Sequence, residues 1–318
     1  MKNVRFELAK KAEIGQFSKS YLGQLLSFIG VFLAATLVQA VVPCLYIWDD
    51  MAAAMTNSGI DRTDSQAIYK FYMQYDFGDA FMILSLFSTA LGILITFLYC
   101  RGFERRKISS LGFVRKNAVK SYLLGALAGF AMFAVCVLVC AALGAKIKIA
   151  DDIAPVLVLA YLGGFIVQGM YEEVLFRGCF FVSTAASKKP LVYAIAVNSI
   201  LFSVAHGLNS GVTILAFVNI ALFGVLMSVC MIKTENIWFV GALHSFWNFT
   251  QGNFFGVNTS GMEMNATIFE FDANNQSGLI NGGAFGLEGG IVVTVAVCIA
   301  IAVVVALIKK ESTQTTER

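Results

Sequence analysis

The sequence predicts an all-α membrane protein, a polytopic bundle of about eight transmembrane helices. Hydrophobic residues make up 58% of the 318-residue chain and charged residues 14%, whereas soluble domains average about 25% charged residues. The mean hydropathy is +0.75. Long apolar stretches alternate with shorter polar connections along the chain, which is the pattern of a helical membrane bundle.

Eight apolar stretches are predicted to cross the bilayer, which needs about 20 residues of helix. They cover residues 21–48, 80–100, 122–143, 156–182, 191–206, 212–232, 237–255 and 291–308, the fifth being rather short. Residues 1–20 precede them and carry five Lys and Arg on a mixed apolar background. This segment is predicted to be a cytoplasmic amphipathic helix at the membrane interface. Residues 256–290 are rich in Asn, Gly and Ser, which predicts a flexible loop.

The distribution of Lys and Arg predicts how the bundle is oriented. The basic N-terminus, the 101–120 connection and Lys309-Lys310 fall on one side of the eight-span topology. The acidic 49–79 and 256–290 connections fall on the other. We therefore expect a multi-pass cell membrane protein with both termini in the cytoplasm.

Other composition signals limit the function classes. No basic patch interleaved with aromatic residues indicates nucleic-acid binding. The seven cysteines lie in or beside apolar segments and form no Cys-x-x-Cys motif, so we expect them to pack as small hydrophobic residues. No convincing internal repeat supports an inverted-repeat transporter. The sequence carries no signal for the oligomeric state.

The most informative stretch is Glu172-Glu173-x-x-x-Arg177, which interrupts a long apolar run. A charged side chain at mid-membrane costs roughly 2.5–3.5 kcal/mol even on mild scales, so these groups must be paired, hydrated or needed for chemistry. On a helix Glu173 can pair with Arg177 four residues later. Glu172 is rotated about 100° away and is predicted to be the working carboxylate. The alternative is a salt bridge between helices without any chemistry.

The only two histidines of the chain also fall in apolar spans. His206 ends the run Phe202-Ser203-Val204-Ala205-His206, and His244 opens His244-Ser245-Phe246-Trp247-Asn248. Asn248 lies one helical turn after His244 on the same face. A raised carboxylate pKa would let a glutamate take a proton from water. Imidazole and amide groups can bind a metal or hydrogen-bond an oxyanion.

Taken together, the three motifs resemble those of the CPBP family of intramembrane proteases. This family includes the CAAX prenyl proteases, the bacteriocin-processing and self-immunity proteins, and the Abi domain. The motifs occur in the same order and spacing as in that family, and the resemblance covers roughly residues 120–256. It divides the chain into segments 1–20, 21–118, a protease core at 119–256, and 257–318, which holds the polar loop, the last span and a cytoplasmic tail.

The resemblance implies an endopeptidase acting on a membrane-associated or lipid-modified polypeptide. The catalytic residues that it implies are Glu172, Glu173, Arg177, His206, His244 and Asn248. Glu172 and His206 would activate water, His244 and Asn248 would stabilise the oxyanion, and Glu173 with Arg177 would support Glu172. The family is described both as zinc-dependent and as a group of metal-free glutamate proteases. Zinc, with Glu172, His206 and His244 as ligands, therefore remains one of two open mechanisms.

Three alternatives to a protease remain open from the sequence. One is a non-proteolytic bacteriocin self-immunity or scaffolding protein of the same fold, and another is a transporter with the carboxylate pair as a proton relay. The intact Glu, His, His and Asn set argues against a degenerate enzyme. The third alternative is a purely structural role for the buried polar residues.

Counting about 1.5 Å per residue along the spans places Glu172, His206 and His244 at different depths. For the three to meet, either the fifth span is tilted or starts later, or the fourth span turns into an interfacial helix soon after Arg177, which we expect. Gly178 and the small residues of 183–187 favour a bend there.

Overall fold

The computed structural model describes residues 6–12, 20–187 and 190–316, and within them the chain is a bundle of long helices. The predicted all-α membrane fold is confirmed. The helices are α1 (Glu7–Ala12), α2 (Tyr21–Asn57), α3 (Ser65–Gln74), α4 (Gly78–Ser88), α5 (Ala90–Gly102), α6 (Ala118–Ala142), α7 (Pro155–Glu173), α8 (Val182–Ala185), α9 (Leu191–Ala205), α10 (Ile214–Thr234), α11 (Ile237–Phe249), α12 (Gly278–Asn281) and α13 (Ile291–Thr316). The strands are β1 (Lys146–Ile149) and β2 (Phe269–Asp272).

Each of the eight predicted spans falls on a helix. Within the described ranges, six helical stretches are long and apolar enough to cross a membrane, judged by length and composition. The fifth predicted span is the shorter apolar helix α9. The seventh is α11, which continues as a π-helix over Thr250–Phe254. The first span is longer than predicted, because α2 runs past Trp48 through an Ala- and Met-rich stretch with high helix propensity.

The helix that carries the first motif continues past Arg177 without a break. After Glu173 the chain continues as a π-helix over Val174–Phe181 and then as α8. The chain is therefore not interrupted after Arg177, and the turn of the fourth span into an interfacial helix stays a prediction. Gly178 serves close packing instead, since a Cβ there would lie 2.8 Å from the Leu111 carbonyl oxygen. π-helical turns often occur at functional sites.

The first helix packs on the protein rather than lying free at its surface. In the described part of the N-terminal segment, Phe6 and Leu8 are buried, and the Phe6 ring lies 5.6 Å from that of Phe181. The backbone N–H of Glu7 donates to Glu235 Oε1 over 2.9 Å. Phe6 and Leu8 therefore pack against the protein, whereas the sequence predicted that the apolar face of this segment lies at the membrane interface. The rest of residues 1–20 falls largely outside the described ranges.

The 256–290 loop is more structured than its composition predicts. Its strand β2 pairs antiparallel with β1, with Lys146 opposite Asp272 and Ile149 opposite Phe269. Lys148 Nζ lies 2.9 Å from Glu270 Oε2. The carboxylates of Glu270 and Asp151 raise the pKa of Lys148. Pairing with a distant strand gives this loop order that local sequence propensity does not reveal.

Helix α11 lies between α6 and α7, and small residues allow the three helices to approach closely. A Cβ at Gly125 or Gly129 of α6 would lie 2.2 Å from the carbonyl oxygen of Phe239 or Leu243, respectively. A Cβ at Gly169 of α7 would lie 2.5 Å from Ser245 Oγ. Because the first two obstacles are backbone atoms, α11 and its side chains are held at a fixed distance from α6.

We predict that Gly129→Ala destabilises the protein by about 1–3 kcal/mol, the usual cost of overpacking. Thermal unfolding in detergent micelles measures the effect. The matched control is Gly30→Ala on α2, where an added Cβ meets nothing within 4 Å. Equal unfolding temperatures for Gly129→Ala and the wild type would show that α11 is free to shift.

Candidate functional site

The two adjacent glutamates of α7 occupy different environments. Glu173 is fully buried, as is Arg177 in the π-helix, and Arg177 Nη1 donates to Glu173 Oε1 over 2.8 Å. The side chain of Glu172 keeps 16% of its surface exposed and faces a cavity. The geometry of the i, i+4 pair is the one that the spacing predicts.

Glu173 also contacts the third motif. His244 Nδ1 lies 2.8 Å from Glu173 Oε1, the same oxygen that accepts from Arg177. The bond places the His244 ring against α7 and leaves Nε2 facing the cavity side of the site. One buried carboxylate therefore joins α7, the π-helix and α11.

Glu172 faces both histidines. Its Oε2 lies 3.8 Å from His206 Nε2 and 3.8 Å from His244 Nε2, and this oxygen is buried without a hydrogen-bond partner. Its Oε1 accepts from Gln168 Nε2. The three motifs thus meet at one carboxylate oxygen, although the counted depths of the spans differed.

Phe202 explains why the second motif begins four residues before His206. Its carbonyl oxygen lies 2.8 Å from His206 Nδ1, which directs Nε2 towards Glu172. Its ring lies 4.2 Å from the Arg177 guanidinium carbon. A cation over an aromatic face is stabilised by the ring quadrupole. Phe202 therefore orients one histidine and also covers the buried cation.

Asn248 is held next to Glu172 by a residue that the sequence analysis did not single out. Asn248 Nδ2 donates to Gln168 Oε1 over 3.0 Å, while the amide nitrogen of Gln168 donates to Glu172. Gln168 thus bridges two of the three motifs. Its signal in the sequence is its position one turn before Glu172, as a polar residue on an apolar helix.

The site opens into a cavity of about 380 Å³. Its wall is formed by α2, α4, α7, α9, α10, α11 and α13, and part of it by two connections. The lining residues from these connections are Asn209, Ser210, Thr259, Ser260, Gly261, Met262 and Glu288. The 256–290 loop, which the resemblance does not cover, therefore forms part of the site.

Glu288 fixes that loop to the helix of the third motif. Its Oε1 accepts from Trp247 Nε1 over 2.9 Å. Its Oε2 accepts from the backbone N–H of Ser260 over 3.1 Å and from Ser260 Oγ over 2.8 Å. The sequence analysis did not assign a role to Glu288, because its partners Ser260 and Trp247 lie 28 and 41 residues away and no periodic pattern links them.

The side chains around Glu172 are of the types that bind zinc, but they lie too far apart to coordinate one ion. A carboxylate and two imidazoles are the ligand types of a catalytic zinc site, and tetrahedral bonds of about 2.0–2.1 Å place neighbouring ligand atoms roughly 3.3 Å apart. Both Glu172–histidine distances are 3.8 Å, so binding requires these side chains to move closer. Among the described residues, no three His, Cys, Asp or Glu form a ready metal cluster.

These features define a multi-pass helical membrane protein with a carboxylate–histidine site in a buried cavity. The family model for the type II CAAX prenyl endopeptidase Rce1-like proteins matches residues 154–250. The match confirms that this part of the chain resembles the CPBP family of CAAX-type proteases. The match includes all three motifs and ends before the 256–290 loop. No curated protein and no solved structure matches the chain.

We predict that replacing Glu173 destabilises the protein and that replacing the neighbouring Glu172 does not. Glu173→Gln leaves the Arg177 cation buried without its partner, and breaking a buried pair costs about 3–5 kcal/mol. Glu172→Gln keeps the shape of a side chain whose Oε2 has no hydrogen-bond partner, so its unfolding temperature should stay near that of the wild type. Thermal unfolding of both variants in the same detergent compares them. Equal destabilisation by the two changes would contradict the assigned difference.

Proposed function

We propose that this protein is an intramembrane endopeptidase, which hydrolyses a peptide bond in a membrane-associated or lipid-modified polypeptide. The observation that carries the proposal is the convergence of Glu172, His206 and His244 on one cavity. Glu172 Oε2 has no hydrogen-bond partner and faces Nε2 of both histidines. This arrangement suits a water molecule more than it suits a structural ion pair.

In the proposed reaction Glu172 is the general base. A water held between Glu172 Oε2 and His206 Nε2 gives a proton to the carboxylate while its oxygen attacks the peptide carbonyl carbon. The Phe202 carbonyl fixes His206 at Nδ1, so the ring presents Nε2 to this water. The carbonyl π bond breaks, and its electron pair moves to the oxygen of a tetrahedral intermediate.

The developing oxyanion needs hydrogen-bond donors in place before the reaction. Asn248 has a second amide N–H besides the one given to Gln168. His244 Nε2 faces the same space and donates there when the ring carries protons on both nitrogens, because the Glu173 carboxylate accepts from Nδ1–H. When the C–N bond breaks, Glu172 returns its proton to the leaving amine. The products are a new carboxyl and a new amino terminus, and Glu172 is again ionised.

Glu173 and Arg177 act as positioning residues in this proposal. They contact neither the cavity nor the reacting atoms, and both are fully buried. Glu173 holds His244 at Nδ1, so its effect on the reaction passes through that ring.

Zinc remains the alternative means of activating water. Glu172, His206 and His244 would hold the ion, which when bound lowers the pKa of a coordinated water to about 7. In either form the residues that orient the site are the same, because Gln168, Phe202 and Glu173 hold the three side chains. We also propose that the protein lies in the cell membrane with both termini cytoplasmic, as the Lys and Arg distribution predicts.

Cleavage by the purified protein tests the proposal. A membrane-peptide library is incubated with wild type, Glu172→Gln and His244→Ala, each with and without a zinc chelator. We expect Glu172→Gln to lose activity by about 10²–10⁴-fold, the usual contribution of a general base. Loss of cleavage with the chelator would assign the zinc form, and insensitivity to it the metal-free form.

The same experiment separates the protease from its alternative. Absence of cleavage by folded wild type, across peptides with and without lipid modification, would contradict the proposal. It would favour the self-immunity or scaffolding class. Wild-type turnover that survives in Glu172→Gln would also contradict it, because another residue would then be the base.

A further prediction concerns Gln168. Gln168→Leu removes the hydrogen bonds to Glu172 and Asn248 together. Each such bond is worth about 1 kcal/mol, so we expect kcat to fall by roughly 30-fold with little change in KM. The control is the same change in the Glu172→Gln background. There it should have a smaller effect, because coupled residues are not additive.

A further inference from the structure

The two ends of the bundle differ in charge. The end that carries the 101–120 connection, here called the basic end, has seven Lys and Arg in that connection. The end that carries the 256–290 loop, here called the acidic end, has four Asp and Glu and no Lys or Arg in that loop. The short connection between α6 and α7, at the acidic end, also holds Lys146 and Lys148 beside Asp151 and Asp152. The basic end has the larger share of Lys and Arg, and the side richer in these residues remains in the cytoplasm, which places the acidic end outside it.

Contacts between distant connections support this division. At the acidic end Asn275 Nδ2 donates to the Gly144 carbonyl oxygen over 2.8 Å, and β2 pairs with β1. At the basic end the backbone N–H of Ile237 donates to the Gly112 carbonyl oxygen over 2.9 Å. Lys233 pairs with Glu311 of α13. Connections that the eight-span topology places on the same side touch each other.

The cavity reaches the acidic end and not the basic end. Every connection residue in its described lining belongs to the acidic end, in 209–210, 259–262 or 288. Ser210 and Met262 are exposed. Towards the basic end, all eight residues of the Val174–Phe181 π-helix are buried. Below it Arg106 Nη2 donates to Ser183 Oγ over 3.0 Å.

The rim of the cavity at the acidic end is a hairpin turn that side-chain hydrogen bonds hold in place. Ser260 and Gly261 have positive φ angles of 49° and 84°, as in the tight type I′ turn of a hairpin, and Thr259 and Met262 pair across them. Asn209 Nδ2 donates to the Ser260 carbonyl oxygen over 3.1 Å, and Glu288 holds the Ser260 N–H and hydroxyl. This four-residue turn, 259–262, is termed the rim turn.

We infer that the cavity admits its substrate from the extracytoplasmic side, past the rim turn and Ser210. This inference rests on the proposed function and deepens it by naming a substrate class. The substrate is a polypeptide segment exposed on the outer surface of the membrane, in a secreted or membrane-anchored protein. The described lining carries Glu172 and Glu288 but no Lys or Arg, so the segment near the scissile bond is neutral or basic.

Thiol accessibility in intact cells tests the side of entry. Ser210→Cys and Met262→Cys at the rim, and Lys116→Cys at the basic end, are made in a background whose exposed Cys44 and Cys298 are replaced by Ala. Cells are treated with a negatively charged, membrane-impermeant methanethiosulfonate. We expect labelling of Ser210→Cys and Met262→Cys before lysis, and of Lys116→Cys only after the membrane is opened.

Labelling of Lys116→Cys from outside, with both rim cysteines protected until lysis, would overturn the inference. Two rim variants are used so that a folding defect in one does not decide the result. The labelling does not depend on turnover, so it should be unchanged in the Glu172→Gln background. A failed cleavage assay would therefore reject the proposed function while leaving the side of entry measured.

A second readout connects entry to the reaction. Cells or vesicles carrying Met262→Cys are labelled from the outside only, and cleavage of a peptide found in the library assay is then measured. We expect loss of cleavage on labelling and its return on reduction of the mixed disulfide. The unsubstituted background should be unaffected by the reagent. Undiminished cleavage after complete labelling of Met262→Cys would contradict entry past the rim turn.

Discussion

A single buried carboxylate, that of Glu173, organises this protein. An ionised group in a membrane bundle is costly unless it is paired, and Glu173 is paired with Arg177 and with His244 through one oxygen. Satisfying that charge fixes the π-helix after α7, and it fixes α11 through the histidine ring. Phe202 covers the guanidinium on its other side. The rest of the site is arranged around this group, because each motif has one residue bound to it or packed on its partner.

The same constraint explains why two adjacent glutamates differ in role. Residues next to each other on a helix point about 100° apart, so only one of the pair can face the ion network. Each carboxylate has one oxygen, Oε2, without a hydrogen-bond partner, but of the two residues only Glu172 lines the cavity. The small residues Gly125, Gly129 and Gly169 then hold α11 at backbone distance from α6 and α7. Packing of small residues therefore sets the distance between the Glu172 carboxylate and His244.

Much of this could be predicted from the sequence, and the exceptions have physical reasons. The helical spacing of Glu173 and Arg177 and the isolation of both histidines in apolar runs indicated the pairing and the site. Counting residues along the spans did not show that the three motifs meet, and it did not reveal the π-helix in which Gly178 packs against Leu111. Gln168 was missed although it lies one turn before Glu172, because its second partner, Asn248, is 80 residues away. Glu288 and the ordered 256–290 loop were missed, because their partners lie far away in the sequence.

The central claim is that water activated by Glu172 attacks the peptide bond directly. The most direct measurement is a single turnover in water labelled with heavy oxygen, followed by mass analysis of both product and protein. We expect one heavy oxygen in the new carboxyl terminus, with the protein at its original mass at every time point. A transient adduct of the protein with the N-terminal product, or heavy oxygen in the Glu172 carboxylate, would contradict the account.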